Sequence, residues 1–360
     1  MARLLRGSII LGVILTAAAA TGGAAWPETP ADSSHVTPPH SQSLPETPFV
    51  KRPFHPFVGD RWIGNGIAYG PHRDGQAPGG ADPTRAELRE DLHIMAKHWS
   101  MLRVYGASGP ASTLLDVIRE DRVDMKVMLG IWIAVEEERD ENGRVVREIP
   151  EARAANRREV EAAVRLASEY PEIVTCVSVG NETQVDWSAH RSPPEALIGF
   201  VREVRARVRV PVTVADDFLY WSTPESRAVA SEIDFLVTHI HPLWRGLQLR
   251  DAVDFVRQTL AEVRAAHPGH TIVLGETGWA TKRHSEGEQA TLMKGETGEE
   301  QQEIFYDALS AWSEKERIPC FFFEAFDENW KGGPHPDEVE KHWGLFRADR
   351  TPKQAMTGDM

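Results

Sequence analysis

The sequence predicts an α/β fold, a single (β/α)8 TIM barrel, on three observations. Short apolar runs alternate with amphipathic helical patterns from about Phe57 onward, and the alternation repeats eight times. No strand is followed by a GxGxxG fingerprint or a phosphate-binding P-loop, which a doubly wound nucleotide-binding sheet would require. With 360 residues and 41% hydrophobic content, the chain has enough apolar material for one large barrel and little room for a second domain.

The strands are expected at Ile63 to Tyr69, Met101 to Tyr105, Lys126 to Ile133, Ile173 to Gly180, Val212 to Asp216, Ile233 to Ile240, Thr271 to Glu276 and Pro319 to Glu324. Helix starts are marked by Asp82-Pro83 ahead of Leu88, Leu92 and Met95, by Ser192-Pro193 ahead of Leu197, Val201 and Val204, and by Asp251 ahead of Val256, Leu260 and Val263. Asn142-Gly143, set among polar and Val residues, predicts a tight-turn hairpin at Glu136 to Glu148 after the third strand. Gly287 to Glu300 lengthens the loop after the seventh. Both insertions either wall the barrel mouth or are charged, solvated surface.

Ahead of the barrel, Arg3 and Arg6 precede the apolar stretch Ser8 to Ala20 and the small residues Gly22 to Ala25, the pattern of a signal peptide over residues 1–25. The expected localisation is therefore export, to the periplasm or the exterior, with no stable membrane insertion after cleavage; an uncleaved anchor is the alternative. Residues 26–56 are rich in Pro, Ser and Thr, repeat PETP at Pro27 and Pro45, and lack periodicity, so they read as a disordered tether, leaving residues 57–360 as the catalytic barrel. Cys176 and Cys320 fall in strands on opposite sides of the barrel and are expected as buried free thiols. A net charge of -14 argues against nucleic acid or an anionic membrane as partner, and the chain is expected to act as a monomer.

Two strands run straight into a carboxylate: Val177 to Glu182 (VSVGNE) and Leu274 to Trp279 (LGETGW). At the ends of the fourth and seventh strands, Glu182 and Glu276 would face one mouth, where a barrel carries its active site. Paired carboxyl groups in a cleft are the requirement of glycoside hydrolysis, one donating a proton to the departing oxygen and the other acting at the anomeric carbon or on a water. This chemistry needs no cofactor and no metal. A non-catalytic carbohydrate-binding barrel would keep aromatic residues but has no use for both carboxylates.

The chain resembles glycoside hydrolase family 17, the β-1,3-glucanases and related transglycosylases, from about Ile63 to Lys353. The motifs that carry the resemblance are GIAYG at Gly66, LRVYG at Leu102, VGNE at Val179, GETGW at Gly275 and FEAFDENWK at Phe323. It implies Glu182 as acid/base, Glu276 as nucleophile in a retaining mechanism on β-glucan, and Asn181 on the sugar 2-hydroxyl. It also implies that Glu328 and Lys331 form a charged pair beside the two carboxylates. A retaining pair is expected about 5 to 5.5 Å apart. Whether water or a second glucan accepts the glycosyl group, giving hydrolysis or transglucosylation, is left open by the residues.

Arg103, at the end of the second strand, is expected to hold the nucleophile, with an ordinary ion pair as its alternative. Tyr69, Tyr105, Trp132, Trp187, Tyr220, Trp221, Trp244, Trp279 and Trp330 all fall near strand ends. Tyr69, Trp132, Trp279 and Trp330 sit at or just past theirs and are the expected sugar platforms, although many of the set would simply pack the barrel. His239 and His241, two apart on the sixth strand, face one way; two histidines alone do not make a metal site, so His241 is expected to bind sugar or orient the nucleophile. It stands where plant relatives tend to carry Tyr-Pro. Asp216 and Asp217 either meet sugar hydroxyls or cap the next helix.

Overall fold

The computed structural model describes residues 49–140 and 142–358. Eight parallel strands close into a barrel: β1 (Asn65–Ala68), β2 (Met101–Val104), β3 (Lys126–Ile131), β4 (Val174–Asn181), β5 (Val212–Asp217), β6 (Leu236–His239), β7 (Ile272–Thr277) and β8 (Cys320–Phe322). Closure is made by β8 against β1, with Cys320 opposite Asn65 and Phe322 opposite Ile67. The intervening runs of Val, Ile and Leu are buried on both faces because helices cover the outside, the usual situation of a parallel sheet. Cys176 and Cys320 are buried free thiols on strands half a turn of the barrel apart, as the sequence predicts.

The helices are α1 (Arg85–Met95), α2 (Ala111–Asp121), α3 (Pro150–Glu169), α4 (Pro194–Arg207), α5 (Phe218–Trp221), α6 (Ser226–Ala230), α7 (Leu249–Ala266), α8 (Gly287–Leu292) and α9 (Glu299–Glu316). The start of α1 differs from expectation: Thr84, not Asp82, caps it, because Thr84 and Glu87 exchange bonds in a capping box. Two short segments, Glu137–Arg139 and Val145–Glu148, form the expected hairpin after β3, turning at Gly143 with φ of 76°. Among the described residues no helix is long and apolar enough to cross a membrane.

The expected tether ends too late. The leader and residues 26–48 lie outside the described residues, but residues 49–56 belong to the barrel. Arg52 donates its backbone N–H to Asp234 (2.7 Å) and its guanidinium to the carbonyls of Arg205, Val208 and Val210. Phe54 stacks on Phe235 at 4.5 Å and joins Met101, Met128, Cys176, Val237, Val273 and Phe321 in the apolar floor of the barrel. Proline and serine content hid this segment's role, since a single Phe and a single Arg carry it. Replacing Phe54 by Ala should destabilise the protein by about 3–5 kcal/mol, read from chemical denaturation, because it opens the floor without closing it elsewhere; a loss below about 1 kcal/mol would return residues 49–56 to the tether.

Candidate active site

Each strand that ends in a glutamate needs a glycine just before it. Gly180 has φ of 77°, turning the end of β4 so that Glu182 follows at φ of 49°, a left-handed conformation that a non-glycine residue adopts at a cost. That elbow is held from several sides: Glu182 N–H donates to the Ala215 carbonyl (2.9 Å), Gln184 N–H to Asp216 (2.9 Å), and Ser192 N–H to the Thr183 carbonyl (2.9 Å). On β7, a Cβ at Gly275 would stand 2.2 Å from Val237 Cγ1 and 3.1 Å from His239 Cδ2, so only glycine lets β6 lie this close. A register shift between Thr238 and His239 then brings His239 level with Glu276.

The result is a compact cluster. Carboxylate oxygens of Glu182 and Glu276 and a ring nitrogen of His239 all lie within 4.8 Å of one another. His239 Nδ1 is 2.9 Å from Glu182 Oε1, and its Nε2 is 3.6 Å from Glu276 Oε1. Arg103 donates to Glu276 Oε1 (2.5 Å) and to Asn181 Oδ1 (2.6 Å), and Tyr105 OH donates to the same Glu276 oxygen (2.9 Å). His241 Nε2 is 3.3 Å from Glu276 Oε2. With Asn181 Oδ1 taken by Arg103, its amide N–H groups are left to donate to a ligand.

Burial alone would raise the Glu276 pKa, but His239, Arg103 and the hydrogen bond from His241 outweigh it and hold the carboxyl well below the usual range. His241 moves the other way from an ordinary imidazole in the interior: burial lowers it, yet bonding to Glu276 leaves it raised. Tyr105 is pushed far up by burial and by Glu276, so it stays a donor. Three groups here offer metal-ligating atoms, but the guanidinium 2.5 Å from Glu276 already supplies the compensating charge and would repel a cation.

Other expected site residues fall elsewhere. Trp279 is no sugar platform: it is fully buried, with its indole N–H bonded to the Glu296 carbonyl (2.9 Å) and its ring beside Phe305. Tyr69 is likewise buried, its hydroxyl donating to Asp91, which also takes a two-pronged bond from Arg350 (2.8 and 2.7 Å). Both sit at strand ends but face the helices, since successive side chains alternate between the two faces. Lys331 contacts neither Glu182 nor Glu276; its ammonium is bound by Glu324 (2.6 Å) and Glu328 (2.7 Å). Glu328 also accepts from the Trp330 indole N–H (2.8 Å). Half-buried Trp132 lies 4.4 Å from the His190 ring, and His190 in turn bonds the Asn181 carbonyl, which puts Trp132 beside the cluster.

The sequence reading passed over four groups. Tyr105 stands two residues after Arg103 and so shares its face, a signal that was present. His239 was set aside in favour of His241. Glu324 and Glu340 left no signal: burial raises Glu324 far above the usual range despite Lys331, and raises Glu340 to about 7 against the pull of Lys331 and His241. Asp217 does cap α5 through Leu219 N–H (2.8 Å), and Asp216 is wholly buried under the Glu182 elbow.

A family model describing the BtgE/BtgC glycoside hydrolase domain matches residues 66–344. A glucan 1,3-beta-glucosidase of Arthroderma benhamiae is 26% identical over 296 residues, spanning 77% of this chain and 86% of its own. An endo-laminarinase from Formosa superposes with a TM-score of 0.68 at 26% identity, covering 82% of this chain and 87% of the other. A glycoside hydrolase family 17 beta-1,3-glucanosyltransferase from Rhizomucor miehei shares the fold, with a TM-score of 0.64 at 23% identity over 81% of this chain and 96% of the other.

The burial of Trp279 separates two roles. Trp279→Ala should cost about 3–5 kcal/mol of stability, read from urea denaturation. A stable variant with weakened oligosaccharide binding would restore Trp279 to the cleft.

Proposed function

The chain belongs to the BtgE/BtgC glycoside hydrolase domain family, and on that premise we propose that it is a retaining glycosidase of β-1,3-glucan. Glu276 attacks the anomeric carbon while Glu182 gives its proton to the departing glycosidic oxygen, leaving a glucosyl ester on Glu276. Glu182, now ionised, takes the proton of an incoming water as that water's oxygen displaces the ester. The observation that carries the reading is the spacing of the two carboxylates, whose oxygens lie within 4.8 Å. Inversion needs a gap of roughly 6.5–9.5 Å to hold a water between them.

The surroundings fit the division of labour. A nucleophile must be ionised, and Glu276 carries the guanidinium, the phenol and two imidazoles that favour its charge. Glu182 touches one imidazole and no guanidinium. Asn181, its oxygen held by Arg103, is placed to donate to the sugar 2-hydroxyl. The relatives named for glucan 1,3-beta-glucosidase and endo-laminarinase activity support β-1,3-glucan as the substrate.

Glu276→Ala should abolish turnover of every β-glucoside. Glu182→Ala should keep the first step for aryl glucosides whose leaving group needs no proton, and azide should rescue it with a β-glucosyl azide as product. Rescue of Glu276→Ala with that same retained product would reverse the assignment.

The pH dependence follows from Glu276. Activity should persist to acid pH until that carboxylate protonates, so its acid limb lies below the usual carboxylate range. Tyr105→Phe removes a donor to the ionised form, which raises the Glu276 pKa and moves the acid limb of kcat/KM to higher pH, with a loss of roughly tenfold at the optimum. An unmoved limb would mean that Tyr105 does not act through Glu276.

A further inference from the structure

A hollow opens beside Glu182, lined by Trp187, Asp217, Trp244, Arg245 and Leu292. It also reaches His241 but not Glu276, although the two glutamates are neighbours. That asymmetry has a direction. The group that protonates the departing oxygen touches the sugar being expelled, whereas the nucleophile lies beneath the anomeric carbon that stays. A cavity bordered by the first and not the second is on the leaving-group side. With its open mouth it holds about 420 Å³, within the size range of small-molecule sites.

Its walls suit a pyranose. Trp187 and Trp244 are both half-buried, each showing part of an indole. Arg245 is wedged 5.5 Å from the Trp187 ring and 5.1 Å from that of Phe218, with its guanidinium 3.5 Å from Asp217 Oδ1. Leu219 N–H also bonds Oδ1, which leaves Oδ2 of the buried Asp217 as the oxygen for a hydroxyl. The outer wall is fixed in place: Gly246 has φ of 74°, a Cβ there would stand 2.9 Å from the Leu292 carbonyl, and Gln248 donates to the Lys294 carbonyl (2.9 Å). The loops after β6 and β7 are thus locked together behind Leu292.

We infer that this hollow is an acceptor site for a neutral glucose unit, walled by Trp187 and Trp244 and hydrogen-bonded by Asp217 and Arg245, through which the enzyme transfers glucosyl groups to sugar in competition with water. The inference rests on the retaining mechanism above. In the transfer step an acceptor hydroxyl oxygen forms the new bond to the anomeric carbon, the ester bond to Glu276 breaks with its electron pair returning to that carboxylate, and the hydroxyl proton passes to Glu182. A glucose unit held in the hollow presents its hydroxyl where water would otherwise enter.

The test uses dinitrophenyl β-laminaribioside as donor and laminaribiose as added acceptor. Dinitrophenol release reports formation of the ester, and mass spectrometry gives the ratio of lengthened to hydrolysed product. The ratio should rise with laminaribiose, and Trp187→Ala and Trp244→Ala should each raise the laminaribiose concentration giving equal products by roughly tenfold or more. Trp187→Phe and Trp244→Phe should recover most of that loss, which separates a lost platform from a damaged fold. Dinitrophenol release with hydrolysed product alone at every laminaribiose concentration overturns the acceptor site and leaves the glycosidase intact. Transfer that is indifferent to all four substitutions also overturns it. Absence of dinitrophenol release from the unaltered enzyme overturns the functional reading itself.

Discussion

A guanidinium buried in the mouth of the barrel is the constraint around which the site is arranged. Arg103 is almost wholly enclosed, and a charge taken out of water is tolerable only with a partner and with its N–H groups satisfied. Glu276 supplies the charge and Asn181 the second acceptor, so one side chain from β2 ties together β4 and β7. The same contact keeps Glu276 ionised in a place where burial would otherwise neutralise it. Structure and chemistry therefore depend on one ion pair, and removing one member of such a pair typically costs about 3–5 kcal/mol because the other is stranded.

Other buried acids act as fasteners for the loops that carry the cleft. Glu159 on α3 accepts from the backbone N–H groups of Ala107, Ser108 and Trp132, joining the loops after β2 and β3 to one helix. Asp91 on α1 gathers Tyr69, Arg73 and Arg350, fastening the strand end of β1 to the last turn of the chain. Glu324 and Glu328 share Lys331 in the same manner beneath Trp330. Loops at a barrel mouth have few apolar contacts of their own, so charge-assisted bonds to their backbone substitute for packing.

Eight strands, their order and the two glutamates were legible in the sequence because each depends on local pattern. Apolar runs of the right length, interrupted by amphipathic helices, admit few closed arrangements other than a barrel. A glutamate directly after such a run, behind a glycine, is placed at the mouth by the run itself. The hairpin at Asn142-Gly143 was legible for the same reason: its turn is specified by residues next to one another.

Facing direction and long-range partnership were decided only by the tertiary structure. Trp279 and Tyr69 end their strands as Trp132 and Trp330 nearly do, yet one position of phase turns a side chain from the cleft to the helical layer. Lys331 was expected beside the catalytic carboxylates and instead serves Glu324, a partner visible only once β8 and the loop after it are folded together. Glu340, His239 and the hollow beside Glu182 arise from residues on separate elements, and Phe54 becomes part of the floor only when a barrel exists for it to close. The sequence determined the fold, the catalytic pair and the glycosidase class, since these follow from periodicity and from residues adjacent along the chain. The partners of each carboxylate, and the side of the pair on which a sugar is received, follow from distances that closure of the barrel alone creates.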